Sequence, residues 1–60
     1  MKRLTHIKTI GLFRNLNTGN EYTIKTGVTV KKGEDVLFYI RNGTRQYVSI
    51  NEFTRLWERV

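Results

Sequence analysis

The chain has 60 residues, with 11 Lys and Arg against 5 Asp and Glu, no Cys, no Pro and a sequence pI near 10.2. This length is near the lower limit for independent folding, so it allows one domain with a thin core. The lack of Cys excludes disulfide staples and thiolate metal sites, and no apolar run approaches the roughly 18 residues of a membrane span.

Met1-Lys2-Arg3-Leu4-Thr5 leads into no apolar core of the kind a signal peptide carries, so a cytoplasmic location is expected. The charge is uneven along the chain. Lys2, Arg3, Lys8, Arg14, Lys25, Lys31 and Lys32 face a single acid, Glu21, in residues 1–33. In residues 34–60, Arg41, Arg45, Arg55 and Arg59 balance Glu34, Asp35, Glu52 and Glu58. The whole formal excess of +6 therefore lies in the first half, an electrostatic footprint that suits a polyanionic partner.

Leu4 to Arg14 reads as a strand with a phase change. Ile7 and Phe13 share one parity, Ile10 and Leu12 the other, and a β-bulge or bend at Gly11 reconciles them. Asn15-Leu16-Asn17-Thr18-Gly19-Asn20 is rich in turn formers and predicts an exposed hairpin loop. Glu21 to Thr26 alternates, with Tyr22 and Ile24 facing one way and Thr23 and Lys25 the other. Val28-Thr29-Val30 follows Gly27 as a short third strand or as a continuation past a bend.

Val30-Lys31-Lys32-Gly33-Glu34-Asp35-Val36 is a polar turn between apolar anchors, and it resembles the loop that feeds a strand in SH3-like and related small barrels. Val36-Leu37-Phe38-Tyr39-Ile40 is the one five-residue apolar run of strand character. Asn42-Gly43 is a strong signal for a two-residue type I′ hairpin. That loop fixes the register: Arg41 with Thr44, Ile40 with Arg45, Tyr39 with Gln46, Phe38 with Tyr47, Leu37 with Val48. One hairpin face then carries Val36, Phe38, Ile40 and Tyr47, and the other Leu37, Tyr39 and Val48. Both are apolar, so cover is expected on both sides, with Arg41, Arg45 and Gln46 projecting into solvent.

Ser49-Ile50-Asn51-Glu52 matches a capping box, and Ile50, Phe53, Leu56, Trp57 and Val60 recur at helical spacing. The expectation is a docked helix from about Ile50 to Val60. The fold class is thus mainly β (a β-rich α+β chain): a small SH3-like barrel or a strongly bent sheet of four or five antiparallel strands, closed by one C-terminal helix. A single domain spans residues 1–60. Its expected core is Ile7, Ile10, Leu12, Phe13, Tyr22, Ile24, Val28, Val30, Val36, Leu37, Phe38, Ile40, Val48, Ile50, Phe53, Leu56 and Trp57.

Little in the chain suggests catalysis. His6 is the sole histidine and has no acid near it in sequence, and the glycines are scattered rather than gathered into a phosphate loop. No enzyme, no cofactor and no metal are expected. The expected function is nucleic-acid binding, to DNA or RNA, through Lys8, Arg14, Lys25, Lys31, Lys32, Arg41 and Arg45. Lys8, Arg14, Thr23 and Lys25 would form an outer strand face, and Arg41 and Arg45 a hairpin tip. Ile10-Gly11-Leu12-Phe13 with Thr18-Gly19 and Tyr22 is locally similar to one hairpin of the small archaeal chromatin proteins, although the hairpin lies at a different point in the chain. The alternative is a protein-binding adaptor or inhibitor of the kind phages and mobile elements encode. It would act through an exposed strand edge, Leu4 to Arg14 or Val28 to Val30, on a partner or a second copy. No membrane and no small-molecule substrate are expected.

Overall fold

The computed structural model describes residues 3–60. Five antiparallel strands form one sheet: β1 Leu4–Asn15, β2 Glu21–Thr29, β3 Asp35–Arg41, β4 Thr44–Val48 and β5 Trp57–Arg59. Their spatial order is β4-β3-β2-β1-β5, with one short helix, α1 Ile50–Leu56, before β5. The sheet is open, with β4 and β5 as its outer strands. Extents of 33 × 24 × 16 Å describe a flattened body in which the sheet faces dominate.

The long central strand is bent by two irregularities. Thr5 pairs with Val28 but Lys8 with Thr26, and Thr9 pairs with Lys25 but Gly11 with Ile24, so β1 carries one extra residue at each point. His6 takes φ 55° at the first bulge and Gly11 φ 147° at the second. The second is the phase change the sequence placed at Gly11. It brings Ile10 and Phe13 to the same side, against the core. The bend at His6 has no comparable signal, since a histidine in the left-handed region is not a residue the pattern announces.

Two hairpin connections share one hydrogen-bond scheme. The Asn15 N–H donates to the Asn20 carbonyl, while the Gly19 N–H donates to the Asn15 carbonyl. The Thr29 N–H donates to the Glu34 carbonyl in the same way, and the Gly33 N–H to the Thr29 carbonyl. Each anchor also uses its side chain. Asn15 Oδ1 accepts from the Asn17 and Thr18 amides, and Thr29 Oγ1, itself buried, accepts from the Glu34 amide at 2.9 Å. Val28 and Thr29 therefore continue β2, whereas Val30 lies in the turn and is 58% exposed. The third connection is the two-residue turn at Asn42 and Gly43, φ 51° and 75°, and its β3–β4 register is the one the turn dictates, Arg41 with Thr44 through Leu37 with Val48.

The main core cluster lies on one face. Phe13, Ile24, Val48 and Trp57 are buried together, with Ile10, Tyr22, Leu37, Tyr39, Phe53 and Leu56 packed against them. Tyr39 stacks 4.5 Å from Tyr22 and 5.2 Å from Trp57, and Phe53 of α1 meets Phe13 at 4.9 Å. The Trp57 Nε1 is buried with no hydrogen-bond partner among the described residues.

The C-terminal helix is shorter than its periodicity implies. Ser49 caps it, its Oγ accepting from the Glu52 amide at 3.1 Å, but the helix ends at Leu56. Trp57 turns extended (φ −126°, ψ 139°), and Trp57–Arg59 pairs with Asn15–Phe13 as β5. Strand pairing gives backbone partners to both the tail and the free edge of β1, and the Leu56 carbonyl accepts from the Leu16 amide at 2.7 Å. Continued as helix, those terminal carbonyls would have needed other partners. The isolated helical gain in four residues is too small to compete.

Five expected core residues are exposed because of where the fold places them. Ile7, Leu12 and Ile40, exposed at 46%, 43% and 44%, lie on the sheet face away from α1, Val30 is in a turn, and Ile50 sits at the helix start, 70% exposed. Cover on both faces of the central hairpin is realised on the Leu37–Tyr39–Val48 side. The opposite side stays largely open, though Phe38 is buried there.

Candidate nucleic-acid interface

Cross-strand partners share a sheet face, so the register places the side chains of the open face in rows. Leu12, Thr23, Ile40 and Arg45 lie across β1 to β4, and Leu12, Thr23, Lys25 and Ile40 line one shallow depression. The next row is Thr9, Lys25, Phe38 and Tyr47. Beyond it Gly27 pairs with Val36, and a β-carbon at Gly27 would stand 3.4 Å from Leu4 and 3.5 Å from Ile7. The bent N-terminal half of β1 thus packs directly on the Gly27 backbone.

This face mixes apolar and cationic groups. Phe38 is buried beneath the Arg45 guanidinium, 5.4 Å from the ring centroid, with Tyr47 at 6.2 Å. Tyr47 is 40% exposed. Arg45 is therefore half-buried on the face and does not project from the hairpin tip, nor does the half-buried Gln46. Of the expected tip residues, only Arg41 is exposed.

Arg14 has a different role from the one its charge suggests. Its guanidinium donates to Glu21 at 3.0 Å and Glu58 at 3.3 Å, joining β1, β2 and β5 at one margin of the open face. The hydrogen bond to Glu21, then its charge, and more weakly Glu58, raise the Arg14 pKa above its ordinary value. A raised cation pKa stabilises the fold at every pH below the unfolded value and loses that effect only as pH rises through the folded one, so Arg14 stays charged throughout the ordinary range. The pair partners are well exposed, so the bridges organise the margin more than they stabilise it.

The seven expected site cations are not one patch. Lys25 and Arg45 share the open face, with Arg14 at its margin. Lys8 pairs with Thr26 and lies on the opposite side, because the bulge at Ile10 reverses the phase that alternation alone would give. Lys31 and Lys32 are exposed in the β2–β3 turn, whereas Arg41 is the last residue of β3, about 20 Å at strand rise from its first, Asp35. The edges also differ from expectation. Val28 is interior, paired with both Thr5 and Asp35, whereas β5 covers β1 only at Phe13–Asn15 and leaves its bulged N-terminal half as an edge among the described strands.

Sequence reasoning missed Tyr47 and Ile40 as surface groups, taking Ile40 for core and Tyr47 for a packed aromatic. Their apolar character gave no sign that α1 covers only the other face. Among the described residues no group of three His, Asp or Glu is placed to hold a metal, and no helix is long and apolar enough to cross a membrane. In comparisons with known proteins, the chain matches no family model, no curated protein and no solved structure.

Proposed function

We propose that this protein is a non-enzymatic nucleic-acid-binding module whose contact surface is the open face of its sheet. The observation that carries the reading is the charge state of that face. Its two carboxylates, Glu21 and Glu58, are both held by Arg14, while Lys25 and Arg45 stand among Thr23, Ile40 and Tyr47. A polyanion gains from that balance, and the chain's +6 formal charge steers it toward the surface. Lys25 and Arg45 are the phosphate contacts in this reading; exposed Arg41, paired with Thr44 on the Leu37–Tyr39 side of the sheet, lies off the strip and adds only to the field. Lys8, Lys31 and Lys32 contribute field without contact, and Arg14 offsets one of its two acids, so that Arg14, Lys25 and Arg45 leave the face one positive charge ahead of Glu21 and Glu58.

The test is fluorescence anisotropy with labelled DNA and RNA at two salt concentrations. Binding should fall log-linearly with salt, and Lys25→Gln should flatten the slope by about one unit. Indifference to every generic polymer, with tight capture by one protein, would favour the adaptor reading instead.

A further inference from the structure

We infer that the open face accepts single-stranded nucleic acid, bases against Tyr47, Ile40 and Leu12 and phosphates toward Lys25 and Arg45; this rests on the nucleic-acid reading. Duplex presents phosphates and stacked edges, so it would leave the exposed apolar groups of the face against water or sugar. Unpaired bases present flat, apolar π-faces, which stack on a tyrosine or lie on aliphatic side chains without regard to sequence. The surface offers both kinds of group within neighbouring rows: Leu12, Ile40 and Tyr47 are each 40% or more exposed, and Lys25 is cross-strand from Phe38, itself cross-strand from Tyr47.

Charge decides against the other occupant of an apolar sheet face, a second copy of the chain. Stacking two such faces would bring Lys25 and Arg45 of each protomer against those of the other. Glu21 and Glu58 are gathered on Arg14 at one margin, so each face keeps a net positive charge and two copies face to face repel. A strand of phosphates reverses that repulsion. The flatness of the body suits an extended ligand as well, since the sheet is open at β4 and gives a bound strand room to run off the edge.

The experiment compares oligo(dT), oligo(U) and hairpin duplexes of matched phosphate number on the full chain, wild type against Tyr47→Ala and Tyr47→Phe. Single strands should bind about tenfold tighter than duplex, and Tyr47→Ala should lose about tenfold on single strands with its salt slope unchanged. Tyr47→Phe, which keeps the ring, should bind as wild type does. If Tyr47→Ala melts below the assay temperature, Ile40→Thr, a strand-compatible change at an exposed position, should give a smaller loss in the same direction. Equal affinity for duplex and single strand, with Tyr47→Ala matching wild type, would overturn this inference and leave polyanion binding standing. A salt-stable dimer dispersed by Ile40→Thr would overturn it too, and failure of every oligonucleotide to bind at low salt would remove both readings.

Discussion

The Arg59 guanidinium occupies the space beside Gly11 where any other residue would place its β-carbon. A β-carbon there would stand 2.7 Å from Arg59 Nη1, and the same guanidinium lies 5.0 Å over the Phe13 ring and donates to the Ile10 carbonyl at 3.3 Å. The bulge that bends β1 and the strand that closes its edge are therefore built around one another.

Gly11→Ala should destabilise the domain by about 1–3 kcal/mol, because φ 147° is a backbone conformation an L side chain rarely adopts. The close atom is the far end of a flexible side chain, so Gly11→Ala combined with Arg59→Ala should recover little. Urea midpoints of the single and double variants check this. Full recovery in the double variant would show that the clash, not the backbone, sets the cost.

Trp57→Ala should cost about 3–5 kcal/mol and leave so small a domain largely unfolded. It removes a buried side chain that touches Tyr22 and Tyr39 and weakens the pairing of β5. Trp57→Phe should cost clearly less, because the Trp57 Nε1 it deletes has no hydrogen-bond partner among the described residues to lose. Thermal melts of the two variants decide the point.

Much of this architecture was legible because short-range chemistry dictates it. Asn42-Gly43 sets a register that runs unbroken to Val48, and Ser49 starts a helix where its side chain can cap. Gly11 marked the bend, and alternation marked β2. The rest depended on long-range competition that local pattern does not encode. Trp57, Glu58 and Arg59 fit a helical stripe and a strand equally well, and the unpaired edge of β1 chose the strand. Lys8 and Lys25 appeared to share a face until an extra residue at Ile10 turned one of them over. Tyr47 and Ile40 were read as covered because nothing in the chain says that a single short helix shields one side.

Glu58→Gln should tighten oligonucleotide binding severalfold at low salt, with the gain shrinking as salt screens the face. Arg14→Gln should do the opposite, since it leaves Glu21 and Glu58 facing the ligand. Neither change should move the melting temperature much, because the bridges are exposed. Paired affinity and melting measurements separate the two effects, and an Arg14→Gln variant with undiminished affinity would remove the charge-balance argument.

Neutralising Lys31 and Lys32 together should weaken binding less than Lys25→Gln alone, since that turn lies beyond the open face at the other end of β3 from the hairpin tip. Salt slopes for both variants give the comparison. A larger loss from the turn pair would move the contact surface to that end of the sheet.

A ¹H–¹⁵N titration of the labelled chain with oligo(dT) reads the contact surface residue by residue. The account predicts the largest amide shifts at Thr23, Lys25, Ile40, Arg45 and Tyr47, with α1 nearly still. Shifts centred on α1 or on the Lys31–Lys32 turn, or a spectrum that oligonucleotide leaves unchanged, would contradict it.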